Sequence, residues 1–73
     1  MKRYAVIFEK AANKWAAYVP DLPGCVTTGK TRDETKRNMR EAIELHLEAM
    51  AEVGEPVPEP SSFADEIEVT TAA

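Results

Sequence analysis

Val19-Pro20-Asp21-Leu22-Pro23-Gly24-Cys25, followed at once by Val26-Thr27-Thr28-Gly29-Lys30-Thr31, is the stretch from which the fold can be read. Pro20 and Pro23 each fix their own φ and push the preceding residue toward extended geometry, so the segment is a rigid corner. Pro23-Gly24 fits the two central positions of a type II turn, where the second residue needs φ > 0. An aromatic-rich strand pair leads into the corner and a capped helix follows it.

Upstream, Tyr4 to Phe8 places Tyr4, Val6 and Phe8 on one face and Ala5 and Ile7 on the other. Both faces are apolar, which predicts a strand covered on two sides. Lys10 to Lys14 reads as a polar hairpin loop in which Asn13 can take the left-handed conformation. Trp15 to Val19 is a second strand, with Trp15, Ala17 and Val19 on one face, and Cys25 to Gly29 is a shorter third. Four of the five aromatics (Tyr4, Phe8, Trp15 and Tyr18) fall in the first hairpin, which is expected to anchor the core.

Downstream, Thr31-Arg32-Asp33-Glu34 has capping-box spacing, with Thr31 as N-cap and Glu34 three residues on. The helix is expected to run to about Val53, where Gly54 supplies a left-handed cap and Pro56 forbids continuation. Met39, Ala42, Ile43, His46, Met50 and Val53 recur at helical spacing as an apolar stripe, opposite Glu41, Glu44, Glu48, Glu52 and Glu55. Pro56 to Ser62 is a linker with three prolines, and Phe63 to Thr70 offers Ile67 and Val69 as a final edge strand. The expected architecture is α+β in the order β-β-β-α-β: a small, mostly antiparallel sheet with one helix on one face, in a single domain over residues 1–73.

The chain has 73 residues, near the lower limit for a core that stands alone. About 60–65% of the unfolded surface is buried at this size, so self-association is a natural way to add burial. The longest apolar run, Trp15 to Val19, is too short to cross a membrane. Met1-Lys2-Arg3 leads directly into strand-like sequence without a signal-peptide core, so a cytoplasmic protein is expected, and a single cysteine agrees with a reducing compartment.

The net charge of -4 hides an asymmetry: residues 1–40 hold all nine Lys and Arg against four acids, and residues 41–73 hold nine acids and no base. No basic face is large enough for a general nucleic-acid binder, and the acidic half would repel phosphates.

Catalytic chemistry is nearly absent. His46 is the lone histidine and sits in the apolar stripe, where a packed residue is the ordinary outcome. Cys25 has no activating neighbour in sequence and reads as a small apolar strand residue. One Cys and one His make a weak metal signal, no cofactor motif occurs, and Asp21 between two prolines reads as a turn residue.

The acidic helix face is the better candidate. Its acids cluster toward the C-terminus, where the macrodipole disfavours them, while Lys36, Arg37 and Arg40 sit nearer the N-terminus. Arg37–Glu41 and Arg40–Glu44 are i,i+4 pairs in the weaker orientation, and Glu48 and Glu52 have no cationic helix neighbour. Either a solvated face or a partner accounts for this; the partner would be a basic protein or a second copy packed antiparallel. One helix also covers only one sheet face, leaving either Ile7, Ala16 and Tyr18 or the Trp15 set as an apolar surface of the kind that marks interfaces.

Tyr4-Ala5-Val6-Ile7-Phe8-Glu9, Trp15-Ala16-Ala17-Tyr18-Val19-Pro20-Asp21-Leu22-Pro23-Gly24-Cys25, Thr28-Gly29-Lys30-Thr31-Arg32-Asp33-Glu34 and Asn38-Met39-Arg40-Glu41-Ala42-Ile43-Glu44-Leu45-His46-Leu47 together resemble the HicB antitoxin domain, over about residues 3–70. The resemblance implies a truncated ribonuclease-H-like fold, usually without nuclease activity, and assemblies that are commonly oligomeric. It also implies a partner: HicA, a small basic RNA-cleaving toxin whose active site the antitoxin blocks. Many HicB proteins carry a helix-turn-helix or ribbon-helix-helix module, for which Thr70-Thr71-Ala72-Ala73 leaves no room, so direct DNA binding is not expected.

The expected function is therefore a non-enzymatic antitoxin that occludes a HicA-like toxin. Glu44, Glu48 and Glu52 would supply charge, with Trp15, Tyr18 and the corner Asp21, Leu22, Pro23 and Gly24 as contact surface. One alternative is an orphan homo-oligomer with a structural or regulatory role. The other is a vestigial nuclease in which Glu9, Asp21 and Glu34 hold a divalent metal.

Overall fold

The corner organises everything on its N-terminal side. In the computed structural model, which describes residues 1–72, β1 (Ile7–Lys10), β2 (Trp15–Tyr18) and β3 (Val26–Gly29) form one antiparallel sheet in the order β1-β2-β3, followed by α1 (Arg32–Glu52). The Cys25 N–H donates to the Leu22 carbonyl at 3.0 Å and Gly24 has φ 84°, as the Pro23-Gly24 pair predicts. The Leu22 N–H donates to the Val19 carbonyl at 3.1 Å, and the Val19 N–H to the Cys25 carbonyl at 3.2 Å.

This internal bonding shortens the first strand. Extending the register from Ile7↔Tyr18 would set Val6, Ala5 and Tyr4 against Val19, Pro20 and Asp21. Val19 has committed its backbone groups to the corner and Pro20 has no N–H. Tyr4 to Val6 therefore stands outside the ladder, and β1 starts three residues later than its alternation predicts. The hairpin loop closes with the Ala11 N–H on the Lys14 carbonyl at 2.8 Å. No non-glycine residue described has positive φ, so Asn13 does not take the left-handed conformation expected of it.

Both helix ends follow the sequence signals. Thr31 is the N-cap, its hydroxyl accepting from the Glu34 N–H at 3.0 Å. Glu34 returns a bond to the Lys30 N–H at 3.3 Å, one residue before the cap itself. At the other end, the Gly54 N–H (φ 75°) donates to the Ala51 carbonyl and the Glu55 N–H to the Met50 carbonyl, the two bonds of a Schellman motif.

Gly29 brings β3 against the first turn of this helix. A Cβ on Gly29 would lie 2.5 Å from Thr35 Oγ1, 2.8 Å from its backbone N and 3.0 Å from its Cα. Thr35 is fully buried and donates its hydroxyl to the Thr31 carbonyl at 2.7 Å. So anchored, α1 packs on β3 and, less extensively, on β2. It covers the face bearing Ala17 and Val19, which form the core with Leu22, Cys25 and Met39. Ile7, Tyr18 and Val26 align across the three strands on the opposite, open face.

The helix outruns the sheet. Its 21 residues rise about 32 Å, against about 13 Å for a four-residue strand. The second half overhangs, leaving Leu45 59% and Val53 70% exposed, so Val53 is not part of the buried stripe and Leu47 packs on the core instead.

The expected fifth element does not form. Phe63 to Thr70 has no strand partner, and Phe63, Ile67 and Val69 are exposed. The reason lies one step upstream. After α1 the chain crosses the end of the sheet, where the Tyr4 hydroxyl donates to the Pro58 carbonyl and Lys2 pairs with Glu59. It is then fastened to the corner: Asp21 accepts from the Ser61 and Ser62 N–H groups, each at 2.9 Å, and from both hydroxyls. The following residues are thereby directed off the sheet. The Asp21 bonds, those from the Ser62 and Ser61 amides above all, lower its pKa from 3.8 to about 2.

Two outcomes follow. Gly29→Ala should destabilise the fold by roughly 1–3 kcal/mol, since backbone as well as side chain must give way; chemical denaturation followed by the helical signal measures it. For Asp21 the folded pKa lies below the ordinary one, so its contribution is present above about pH 4 and is lost as pH falls through about 2. The Ser61 and Ser62 amide shifts should stay constant from pH 7 to 4 and titrate with a midpoint near 2, and Asp21→Ala should abolish that titration while α1 is unchanged.

Candidate protein-binding site

The overhanging half of α1 carries the acidic face. Glu44, Glu48 and Glu52 are all exposed there. Glu41, Leu45, Glu48 and Glu52 stand four, three and four residues apart, so Leu45 lies in the middle of the acids. An exposed leucine ringed by carboxylates is a contact that the charge pattern alone did not single out; its signal is helical position. The ion pair found among the described residues is Lys2–Glu59, so Arg37–Glu41 and Arg40–Glu44 are not closed. The last turn of α1 holds no base, which leaves its acids uncompensated against the helix dipole.

The sheet and corner residues separate into different places. Trp15 is half-buried and alternates onto the helix-covered face with Ala17, whereas Tyr18 is exposed on the open face. The two do not share a surface. Leu22 is 0% exposed and belongs to the core, which corrects its assignment as a contact residue: the corner folds it inward between two turns. Asp21 is occupied by Ser61 and Ser62, while Pro23 and Gly24 are exposed. The open face adds Val26, 64% exposed beside Tyr18, a residue identifiable from the register that the Pro-Gly turn imposes.

Beside β1 lies an open groove. Tyr4, Val6, Phe8, Met39, Ile43 and Leu47 supply its apolar surface, and Lys2, Arg3, Lys36 and Arg40 are among its lining residues. Arg32 stacks over the Phe8 ring, 5.8 Å from the centroid, which gives this first-turn cation a favourable partner despite the dipole.

The groups with chemical potential are dispersed. Cys25 is buried and burial pushes its thiol pKa up, away from the reactive thiolate. His46 is half-buried on α1. Glu9 lies in β1, Asp21 is fastened to Ser61 and Ser62, and Glu34 faces the Lys30 N–H. Among the described residues no three His, Cys, Asp or Glu side chains converge as a metal site would require. No helix among them is long and apolar enough to cross a membrane.

Known proteins resemble the chain over most of its length. UPF0150 protein Ta0767 of Thermoplasma acidophilum is 36% identical over 69 residues, covering 94% of this chain and 97% of its own length. Antitoxin HicB 2 of Photorhabdus laumondii is 33% identical over 60 residues, 82% of this chain and 43% of the relative. A 14.9 kDa protein of Haemophilus phage HP1 is 40% identical over 55 residues, 75% of this chain and 41% of the relative. The chain thus spans less than half the length of these last two. Among solved structures, a chain of the HicA3 and HicB3 toxin-antitoxin complex superimposes with a TM-score of 0.71 at 32% identity, covering 81% of this chain and 70% of that one. The sequence model described as "HicB_like antitoxin of bacterial toxin-antitoxin system" matches residues 4–71, and the chain belongs to this family of antitoxins.

Proposed function

We propose that the chain binds a small, basic, RNA-cleaving toxin of the HicA kind and blocks it by occlusion, in the cytoplasm and without catalysis of its own. The observation that carries this reading is the uncompensated acidic face of the overhanging helix: Glu44, Glu48 and Glu52 around the exposed Leu45. Carboxylates so placed complement a basic partner and accelerate encounter, and an apolar residue at their centre supplies the part of a contact that excludes water. The open sheet face with Ile7, Tyr18 and Val26 is a second apolar surface available to the same partner. Family membership and the similarity to a chain of a toxin–antitoxin complex support a partner of this class.

The charge-reversed pair Glu48→Lys/Glu52→Lys should weaken binding to a HicA-like toxin at least about tenfold, roughly 1.4 kcal/mol, with the helical signal unchanged. Titration calorimetry at low and moderate salt reads the effect, and added salt should weaken the wild-type complex more than the variant's. Equal affinity of the two proteins would remove charge complementarity from the account. A change of oligomeric state without any toxin binding would instead favour an orphan homo-oligomer.

A further inference from the structure

The chain exposes more surface than a compact protein of its size. Its accessible surface is 6100 Å², where a folded 8.1 kDa monomer has about 4,500 Å². Its radius of gyration is 14.6 Å against about 11 Å for a compact domain of this length. The difference in area, about 1,600 Å² for one chain, is twice the ~800 Å² that each partner contributes to a standard protein interface. Two apolar surfaces of the chain complement one another.

The first is the groove beside β1. β1 is an edge of the sheet, Tyr4 to Val6 are in no ladder, and α1 packs over β3 and β2. Edge backbone next to an apolar floor is a template for one more strand. The second is the segment Phe63 to Val69. Phe63, Ile67 and Val69 are 84%, 85% and 71% exposed and fall on one side of an alternating pattern, interrupted there by Asp65, with Ala64, Glu66 and Glu68 on the other. Charge matches as well: Lys2, Arg3, Lys36 and Arg40 line the groove against one acid, Glu44, and Asp65, Glu66 and Glu68 populate the segment.

A chain's own segment is held away from its own groove. Ser61 and Ser62 are fastened to Asp21 after the chain has crossed from Tyr4 to the corner, and no Gly or Pro follows Ser62 to turn it back. We propose that the groove receives the Phe63–Val69 segment of a second copy of this chain, in a reciprocal exchange that makes a two-fold dimer. Such an exchange buries the same surface twice, is closed by symmetry, and covers the β1 edge of each copy. It does not rest on the toxin reading: of the acidic helix face only Glu44 reaches the groove lining, and Leu45, Glu48 and Glu52 lie outside it.

Light scattering of the full chain at about 100 µM should return twice the 8.1 kDa chain mass. Ile67→Asp/Val69→Asp should return the single-chain mass with an unchanged helical signal, since both side chains lie in solvent in the isolated chain. In a mixture of labelled and unlabelled wild-type chains, isotope-filtered NOEs should connect Val6 of one copy to Ile67 of the other. A monomeric wild type, a dimer that the double variant retains, or Val6–Ile67 contacts confined to one chain would each overturn the proposal. So would a segment that becomes protected only when a basic toxin is added.

Discussion

The close approach of β3 to the first turn of α1 is the constraint on which the remaining structure depends. Gly29 has no side chain, and Thr35 fills the space that one would need. That contact fixes the start of the helix over β3 and β2, so the Ala17 and Val19 face is the covered one and Ile7, Tyr18 and Val26 are left outside. It also leaves the β1 flank open, because a helix anchored at one edge of a three-stranded sheet does not extend across the other. The groove, the open face and the overhanging acidic half are all consequences of where the helix begins.

Most local structure is legible in the sequence. The Pro23-Gly24 turn, the Thr31 cap and the Gly54 stop are each set by residues within a few positions of one another, and such signals survive tertiary context. Long-range pairing was less legible. Alternation starts the first strand too early because it is silent about partners, and the corner withdraws the partner backbone that Tyr4 to Val6 would need. The last strand was expected from the same alternation and does not form, since the bonds from Ser61 and Ser62 to Asp21 connect residues about 40 apart and no local pattern announces them. The local sequence places Leu22 with the rest of the corner as contact surface, and the chain folds it inward between two tight turns.

For the candidate site, the acids of the helix were visible as a charge pattern, and their lack of compensation became clear only with the geometry. Arg37 and Arg40 stand near Glu41 and Glu44 in sequence yet form no ion pairs with them. Leu45 gains its meaning from position, exposed amid carboxylates on the side of α1 turned away from the core. The vestigial nuclease fares differently: Glu9, Asp21 and Glu34 lie on separate elements, two of them engaged with backbone amides. A small protein whose polar groups are satisfied and whose unsatisfied features are surfaces is suited to binding, which fits its membership of an antitoxin family.

The most direct measurement is cleavage of RNA by a HicA-like toxin from the same genome, followed while this chain is titrated in at fixed, moderate salt. Cleavage should fall in proportion to added chain and stop at a defined stoichiometry, with no cleavage by the chain alone. Undiminished cleavage at a large molar excess of folded chain would contradict the account.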